Sequence, residues 1–198
     1  PLYSFDLELT ARCNLNCRHC YINLPANDPQ AQAAELKLEE IESIADQALD
    51  YGAVWVLLTG GEPLIRHDFS EIYMMLKRKG LLISVFTNAT LIGDKHINLF
   101  KKYPPRDIEV TIYGSRHEVY EEITRKRGSF DAFRRGLNAL DEAGVKVRLK
   151  AMALRSNLSD LESIAALGQR YTKDFYRFDP VLHLRYDRDP QRNAEIIS

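Results

Sequence analysis

The three cysteines of this 198-residue chain, Cys13, Cys17 and Cys20, all lie within one eight-residue stretch with the spacing C-x3-C-x2-C. A disulfide would leave one thiol over, and nothing else in the sequence indicates an oxidising compartment. Zinc usually takes four ligands, and His19 is the only nearby candidate for a fourth. An iron–sulfur cluster fits better, because three thiolates on a 4Fe-4S cluster leave one iron open to a small chelating molecule.

The segments around these cysteines alternate between short β-rich runs and longer helical patterns, which predicts parallel βαβ units. The expected strands are Leu2–Thr10, Val54–Thr59, Leu82–Thr87, Ile108–Tyr113, Val145–Leu154 and Phe175–Asp179. The expected helices are Leu38–Tyr51, Phe69–Lys79, Asp94–Lys102, Ser129–Ala143 and Ser159–Tyr171, and Gly52, Gly80 and Gly144 end three of them as C-caps would.

Polar or glycine-rich residues follow each of the first five strands, beginning with the cysteines and continuing with Gly60-Gly61-Glu62-Pro63. Parallel strands bring such segments to one face, as in a (β/α) barrel. Six units are too few for the usual eight-stranded ring. The sequence therefore predicts an α/β fold, a partial (β/α)6 barrel with parallel strands and an open side.

Several strands carry ionisable residues on one face and apolar residues on the other, as with Asp6 and Glu8 in the first strand and Arg148 and Lys150 in the fifth. If the apolar faces pack on the helices, the charged faces line a wet, charge-balanced cavity inside the barrel, since buried charges must pair or meet water. The alternative is that these strands lie at open edges and face bulk solvent.

The cysteine stretch Cys13–Tyr21, followed 40 residues after Cys20 by Gly60-Gly61-Glu62-Pro63, resembles the radical SAM superfamily. The resemblance implies a 4Fe-4S cluster held by the three cysteines, with S-adenosylmethionine on the open iron. It also implies that Gly60, Gly61 and Glu62 receive the amino group of that cofactor. The residue types agree, because glycines permit close backbone approach and an ammonium group needs acceptors.

The resemblance extends to Thr87–Leu91, which is similar to the family's Thr-Asn-Gly-Thr-Leu, with Ala89 in place of a glycine expected at positive φ. It implies further contacts with S-adenosylmethionine, from Asn88, Thr111, Lys150, His19 and Tyr21. Lys150 has a second interpretation, as a cavity charge paired with Glu109 or Glu8. His19, expected to stack near the adenine, has the alternative of a solvent-facing loop residue.

The segments Thr111–Gly114, Tyr120–Thr124 and Gly128–Phe130 resemble the subgroup that usually carries a further cysteine-rich SPASM domain. That subgroup implies hydrogen abstraction from a peptide or protein side chain by a 5′-deoxyadenosyl radical, with electrons from an external donor such as a flavodoxin or ferredoxin. The alternatives are a cofactor-biosynthesis enzyme acting on a small molecule and a non-catalytic iron–sulfur electron carrier. We expect residues 1–198 to be one core domain, trimmed from a longer chain with a C-terminal SPASM-like domain.

The composition excludes some other classes of protein. The formal net charge of -1, with 27 basic and 28 acidic residues, gives no overall attraction to nucleic acid or anionic membranes. The basic run Arg125-Lys126-Arg127 is interpreted as a solvated helix entrance, because Glu118, Glu121 and Glu122 dilute it as a nucleic-acid patch. No apolar run reaches the roughly 18 residues of a membrane helix, and we expect a cytoplasmic protein.

Overall fold

A computed structural model describes residues 1–22, 24–172, 177–179 and 190–197. Its strands are β1 (Ser4–Glu8), β2 (Arg12–Cys13), β3 (Leu24–Pro25), β4 (Trp55–Thr59), β5 (Leu82–Thr87), β6 (Asp107–Ile112), β7 (Val147–Met152) and β8 (Arg177–Asp179). Its α-helices are α1 (Pro29–Ala33), α2 (Leu38–Asp50), α3 (Phe69–Arg78), α4 (Asp94–Lys102), α5 (His117–Thr124), α6 (Ser129–Glu142) and α7 (Leu161–Tyr171).

Six strands form one parallel sheet in the order β1-β4-β5-β6-β7-β8. The register brings the strand ends together, with Glu8 opposite Thr59 and Met152 opposite Asp179. Each described strand of this sheet runs parallel to its neighbours, so the loops after the strands all lie at the carboxyl end of the sheet. The predicted partial (β/α)6 barrel with parallel strands is confirmed.

The helices cover the outer face of the sheet, where alternate strand residues form the core. Fully buried side chains on this face include Val56, Leu58, Ile83, Val85 and Ile108. The opposite face carries the predicted polar residues, among them Asp6, Thr111 and Lys150, which line a cavity. On the edge strand β1, Asp6 and Glu8 both line the cavity and remain exposed.

The structure contains several elements that the sequence did not predict, including helix α1 and a 3-10 helix at Pro63–Ile65. A short parallel pair, β2 and β3, brings Cys13 beside Pro25, and helix α5 follows β6, although no helix was expected there. A 3-10 helix at Arg155–Asp160 precedes α7. Of the predicted last strand, Phe175 and Tyr176 lie outside the described residues. The three predicted glycine caps, Gly52, Gly80 and Gly144, all have positive φ.

Candidate metal and cofactor site

A cavity of about 910 Å³ opens at the carboxyl end of the sheet. It is lined by every residue that the sequence assigned to a metal or cofactor except Glu62, namely Cys13, Cys17, His19, Cys20, Tyr21, Gly60, Gly61, Asn88, Thr111 and Lys150. The whole lining comes from all six strands of the sheet and from the cysteine loop, which therefore converge on one space.

The cysteine loop is held in place by the last turn of α5. The backbone N–H groups of Asn16 and Arg18 donate to the carbonyls of Thr124 and Ile123, each at 3.0 Å. Because these two residues flank Cys17, that cysteine is fixed on both sides by a helix end. The free carbonyls that terminate α5 thus find their donors in the loop.

Burial favours the neutral form of the Cys13 and Cys17 thiols. Burial raises the pKa of Cys13 to about 12, with the Glu62 charge as a second cause. The pKa of Cys17 also lies well above its ordinary value, through burial and the neighbouring cysteines. Thiolates are the metal ligands, so binding a cationic group here must release protons. Within the described ranges, no three His, Cys, Asp or Glu side chains converge on a single-ion site.

Gly60 and Gly61 lie against the backbone that leads into Cys13. The Gly61 N–H donates to the Thr10 carbonyl at 2.7 Å, and the Glu62 N–H donates to the Arg12 carbonyl at 2.9 Å. A Cβ on Gly60 would come within 2.3 Å of the Thr10 carbonyl oxygen, and one on Gly61 within 2.3 Å of the Arg12 oxygen. Glycines are therefore required at both positions by the close packing of residues 60–62 against the backbone of residues 10–12.

The side chain of Glu62 is fully buried and is not among the residues that line the cavity, and its expected contact with the cofactor stays a prediction. The fully buried carboxylate accepts hydrogen bonds from the Leu64 N–H at 3.1 Å, the Thr87 hydroxyl at 2.8 Å and the Asn88 N–H at 2.8 Å. Burial raises the pKa of Glu62 to about 7 despite these donors. Glu62 joins the loop after β4 to the loop after β5, because a buried carboxylate needs such donors.

Asn88 reaches from the end of β5 to the cysteine loop. Its amide donates to Asn14 Oδ1 at 3.0 Å and lies 3.8 Å from Cys13 Sγ, while its own oxygen accepts from the Thr90 hydroxyl at 2.6 Å. The next residue, Ala89, has φ 61°, so the left-handed conformation expected for the family's glycine is present with alanine. Asn88 thus links two loops that line the same cavity.

Lys150 lies at the far wall of the cavity and is paired. Its Nζ is 2.8 Å from Glu109 Oε1 and 4.1 Å from the centre of the Phe86 ring. The side chains of Lys150 and Glu109 are only 15% and 14% exposed, so this ion pair is largely buried. The interpretation of Lys150 as a cavity charge paired with Glu109 is confirmed, whereas Glu8 accepts instead from the Tyr21 hydroxyl at 2.9 Å.

His19 is buried, with 8% of its surface exposed, and its ring centre lies 4.9 Å from that of Tyr113. The alternative of a solvent-facing loop histidine is therefore wrong. Both His19 and Tyr21 line the cavity next to the cysteines. Aromatic side chains at such a wall offer a stacking surface for a planar ring.

Sequence reasoning missed the buried ion pair that supports the cysteine loop. Arg12 Nε lies 2.8 Å from Glu35 Oε1, and the Arg12 guanidinium also donates to the Ala26 carbonyl at 2.8 Å. Thr10 donates its hydroxyl to the same Glu35 carboxylate. The only sequence signal was an arginine directly before Cys13; its partner is 23 residues away and carries no pattern of its own.

The family model of the Radical SAM superfamily matches residues 7–167 of this chain. The chain therefore belongs to that superfamily of enzymes. Fe-coproporphyrin III synthase of Methanosarcina barkeri is 33% identical over 157 residues, which are 79% of this chain and 38% of that protein. The bacteriocin subtilosin biosynthesis protein AlbA of Bacillus subtilis is 27% identical over 202 residues, 97% of this chain and 44% of AlbA.

Among solved structures, S-adenosylmethionine-bound SuiB of Streptococcus suis superposes with a TM-score of 0.74 at 20% identity, over 90% of this chain and 40% of SuiB. The fold is therefore that of radical SAM structures. The chain spans less than half the length of the curated relatives named above. None of the helices in the described ranges combines the length and apolar character that crossing a bilayer needs.

Proposed function

We propose that this chain is the core of an enzyme that holds a 4Fe-4S cluster on Cys13, Cys17 and Cys20 and binds S-adenosylmethionine beside it. The observation that carries the proposal is that the three thiols and the Gly60-Gly61 backbone line one cavity of about 910 Å³. The donor set fits the cluster, because iron–sulfur clusters take one thiolate per iron and do not require ligands that converge on one ion.

The remaining lining residues supply candidate contacts for the cofactor. The Gly60 and Gly61 backbone would accept the amino group, while Asn88, Thr111 and Lys150 offer polar groups for the carboxylate and ribose. His19 and Tyr21 present rings for the adenine. We assign Glu62 a positioning role, since its carboxylate is committed to Leu64, Thr87 and Asn88.

The chemistry that these groups supply when bound is one-electron cleavage of the sulfonium and hydrogen abstraction by the 5′-deoxyadenosyl radical. The chain's own part is to bind and orient the cofactor and to keep the cavity closed to other reactants. No side chain has to act as acid or base in that step. Lys150, paired with Glu109, provides a charge whose position is fixed by the Phe86 ring.

We further propose a peptide or protein side chain as the substrate and an external one-electron carrier as the reductant. AlbA, whose name places it in bacteriocin biosynthesis, aligns with nearly the whole chain, and SuiB has a structure with the precursor peptide SuiA. The similarity to Fe-coproporphyrin III synthase favours a small-molecule substrate as the second candidate. We also propose a cytoplasmic location, where thiols stay reduced. The SPASM-like domain stays a prediction.

Anaerobic reconstitution with iron and sulfide, followed by dithionite and S-adenosylmethionine, tests the proposal. The wild type should bind about four irons per chain and release 5′-deoxyadenosine and methionine. Cys17→Ser should lose both properties, while Ser163→Ala, an equally small change on an exposed part of α7, should keep them. A loaded cluster without cleavage would favour the electron carrier, and zinc without iron would overturn both assignments.

A further inference from the structure

The turn between α5 and α6 consists of three consecutive cations, Arg125, Lys126 and Arg127, which we call the basic turn. All three residues are exposed. None of them forms an ion pair with any residue in the described part of the chain, although exposed cations elsewhere, such as Arg116 beside Asp160, do. The basic turn is therefore a patch of positive charge without an ion-pair partner among the described residues, on a chain whose net charge is -1.

Helix electrostatics do not explain the whole basic turn. Arg125 follows the carboxyl end of α5, where a cation is stabilised. Arg127, however, directly precedes Gly128, the N-cap of α6, where the helix dipole disfavours positive charge. Such a local conflict between sequence and structure is expected where a residue serves another purpose.

The basic turn is directly connected to the cysteine loop. Thr124, whose carbonyl accepts the Asn16 N–H at 3.0 Å, is the residue before Arg125. Asn16 is in turn the residue before Cys17. One hydrogen bond and a few covalent bonds thus connect the backbone of the basic turn to Cys17, so a protein docked there would contact the segment that supports the proposed cluster loop.

We propose that the basic turn is the docking surface for an acidic electron-carrier protein that reduces the cluster. This inference rests on the function proposed above. In the step it serves, the carrier loses one electron and the cluster gains one, with no bond formed or broken. Complementary charge across such a surface raises the rate of encounter more than the final affinity.

The position and composition of the basic turn favour a redox protein over a nucleic acid. Three cations neutralise few phosphates, and no aromatic residue lies within the run to stack on bases. A discrete patch next to the cluster loop suits a carrier that must approach one point.

The test compares two double variants of the holoenzyme. K126Q/R127Q removes two charges from the basic turn, and K101Q/K102Q removes two from exposed residues at the end of α4, which leads into β6 at the opposite end of the sheet. Stopped-flow absorbance measures cluster reduction by a reduced acidic flavodoxin or by dithionite. Carbodiimide crosslinking to the flavodoxin, mapped by mass spectrometry, measures docking without turnover.

At low salt, K126Q/R127Q should slow reduction by flavodoxin about tenfold, and the difference should vanish at high salt as the charges are screened. K101Q/K102Q should match the wild type, crosslinks should form at Lys126, and dithionite should reduce all three proteins equally. If flavodoxin reduced the clusters of both double variants at the same rate, or if no crosslink formed at Lys126 of the wild type, the proposed docking surface would be wrong. Normal cleavage of S-adenosylmethionine with dithionite would still support the proposed function in that case. Absence of dithionite-driven cleavage would overturn the proposed function alone, since the crosslinks still test docking.

Discussion

Replacing Gly61 with alanine tests whether the glycine pair positions the cysteine loop. The added Cβ would lie 2.3 Å from the Arg12 oxygen and 2.7 Å from the Arg12 carbonyl carbon, so one backbone must move by about 0.7 Å. That movement weakens the Gly61 and Glu62 N–H bonds to Thr10 and Arg12, at about 1 kcal/mol each. Overpacking adds about 1 to 3 kcal/mol, so we expect a loss of about 3 to 5 kcal/mol.

Urea denaturation of the metal-free protein measures this loss, and iron content after reconstitution measures its consequence for Cys13. Gly93→Ala is the matched control, because Gly93, like Gly61, is not among the glycines at positive φ and a Cβ there would meet nothing within 4 Å. The control should lose no more than about 1 kcal/mol as a changed N-cap and should load iron normally. If Gly61→Ala were as stable as Gly93→Ala and bound as much iron, the buttressing role of the glycines would be refuted.

Three further changes test the supports of the site. As the pH rises from 5 to 8, the free energy of unfolding of the wild type should fall by about 2 to 3 kcal/mol relative to that of Glu62→Gln. The reason is that burial raises the pKa of Glu62 to about 7, so the folded state holds an extra proton only below that pH. Parallel urea titrations of both proteins at each pH measure this difference. Gly136→Ala should destabilise the protein by at least about 2 kcal/mol, although alanine favours a helix more than glycine does. The added Cβ would lie 2.0 Å from the Ala89 carbonyl oxygen. Thermal unfolding measures this loss of stability. Lys150→Met should destabilise the protein by about 1 to 3 kcal/mol, because it removes the cation of a largely buried ion pair with Glu109. Adding Glu109→Gln should recover part of that loss in a double-mutant cycle.

The fold could be predicted because its elements carry strong local patterns. The strand Leu82–Thr87 and the helix Asp94–Lys102 begin and end at the predicted residues. Their apolar periodicity and the residues that flank them mark these ends in the sequence. Helix α5 could not be predicted in the same way. It has eight residues, and its stability comes from packing Tyr120 and Ile123 into the core and from capping the cysteine loop, both of which are long-range contacts.

The candidate site could be predicted where residue type alone limits the chemistry. Three closely spaced thiols after a strand have few uses, and the structure brings them to one cavity with Asn88 and Lys150. The hydrogen-bond partners of a side chain could not be predicted, as Glu62 with its donors from Leu64, Thr87 and Asn88 shows. Alternation along the chain does not reveal whether a carboxylate at a strand end faces the cavity or the loop behind it.

Glu62 and the two glycines before it lead to one physical account of the Gly-Gly-Glu-Pro segment. The glycines allow the backbone of residues 60–62 to pair closely with that of residues 10–12, and the carboxylate fixes the Asn88 backbone from the other side. Cys13 and Asn88, which lie 3.8 Å apart at Sγ and Nδ2, are therefore both positioned by this segment. A residue can therefore support a candidate cofactor site through the loops that it joins, because the groups it positions must stay within a few tenths of an ångström.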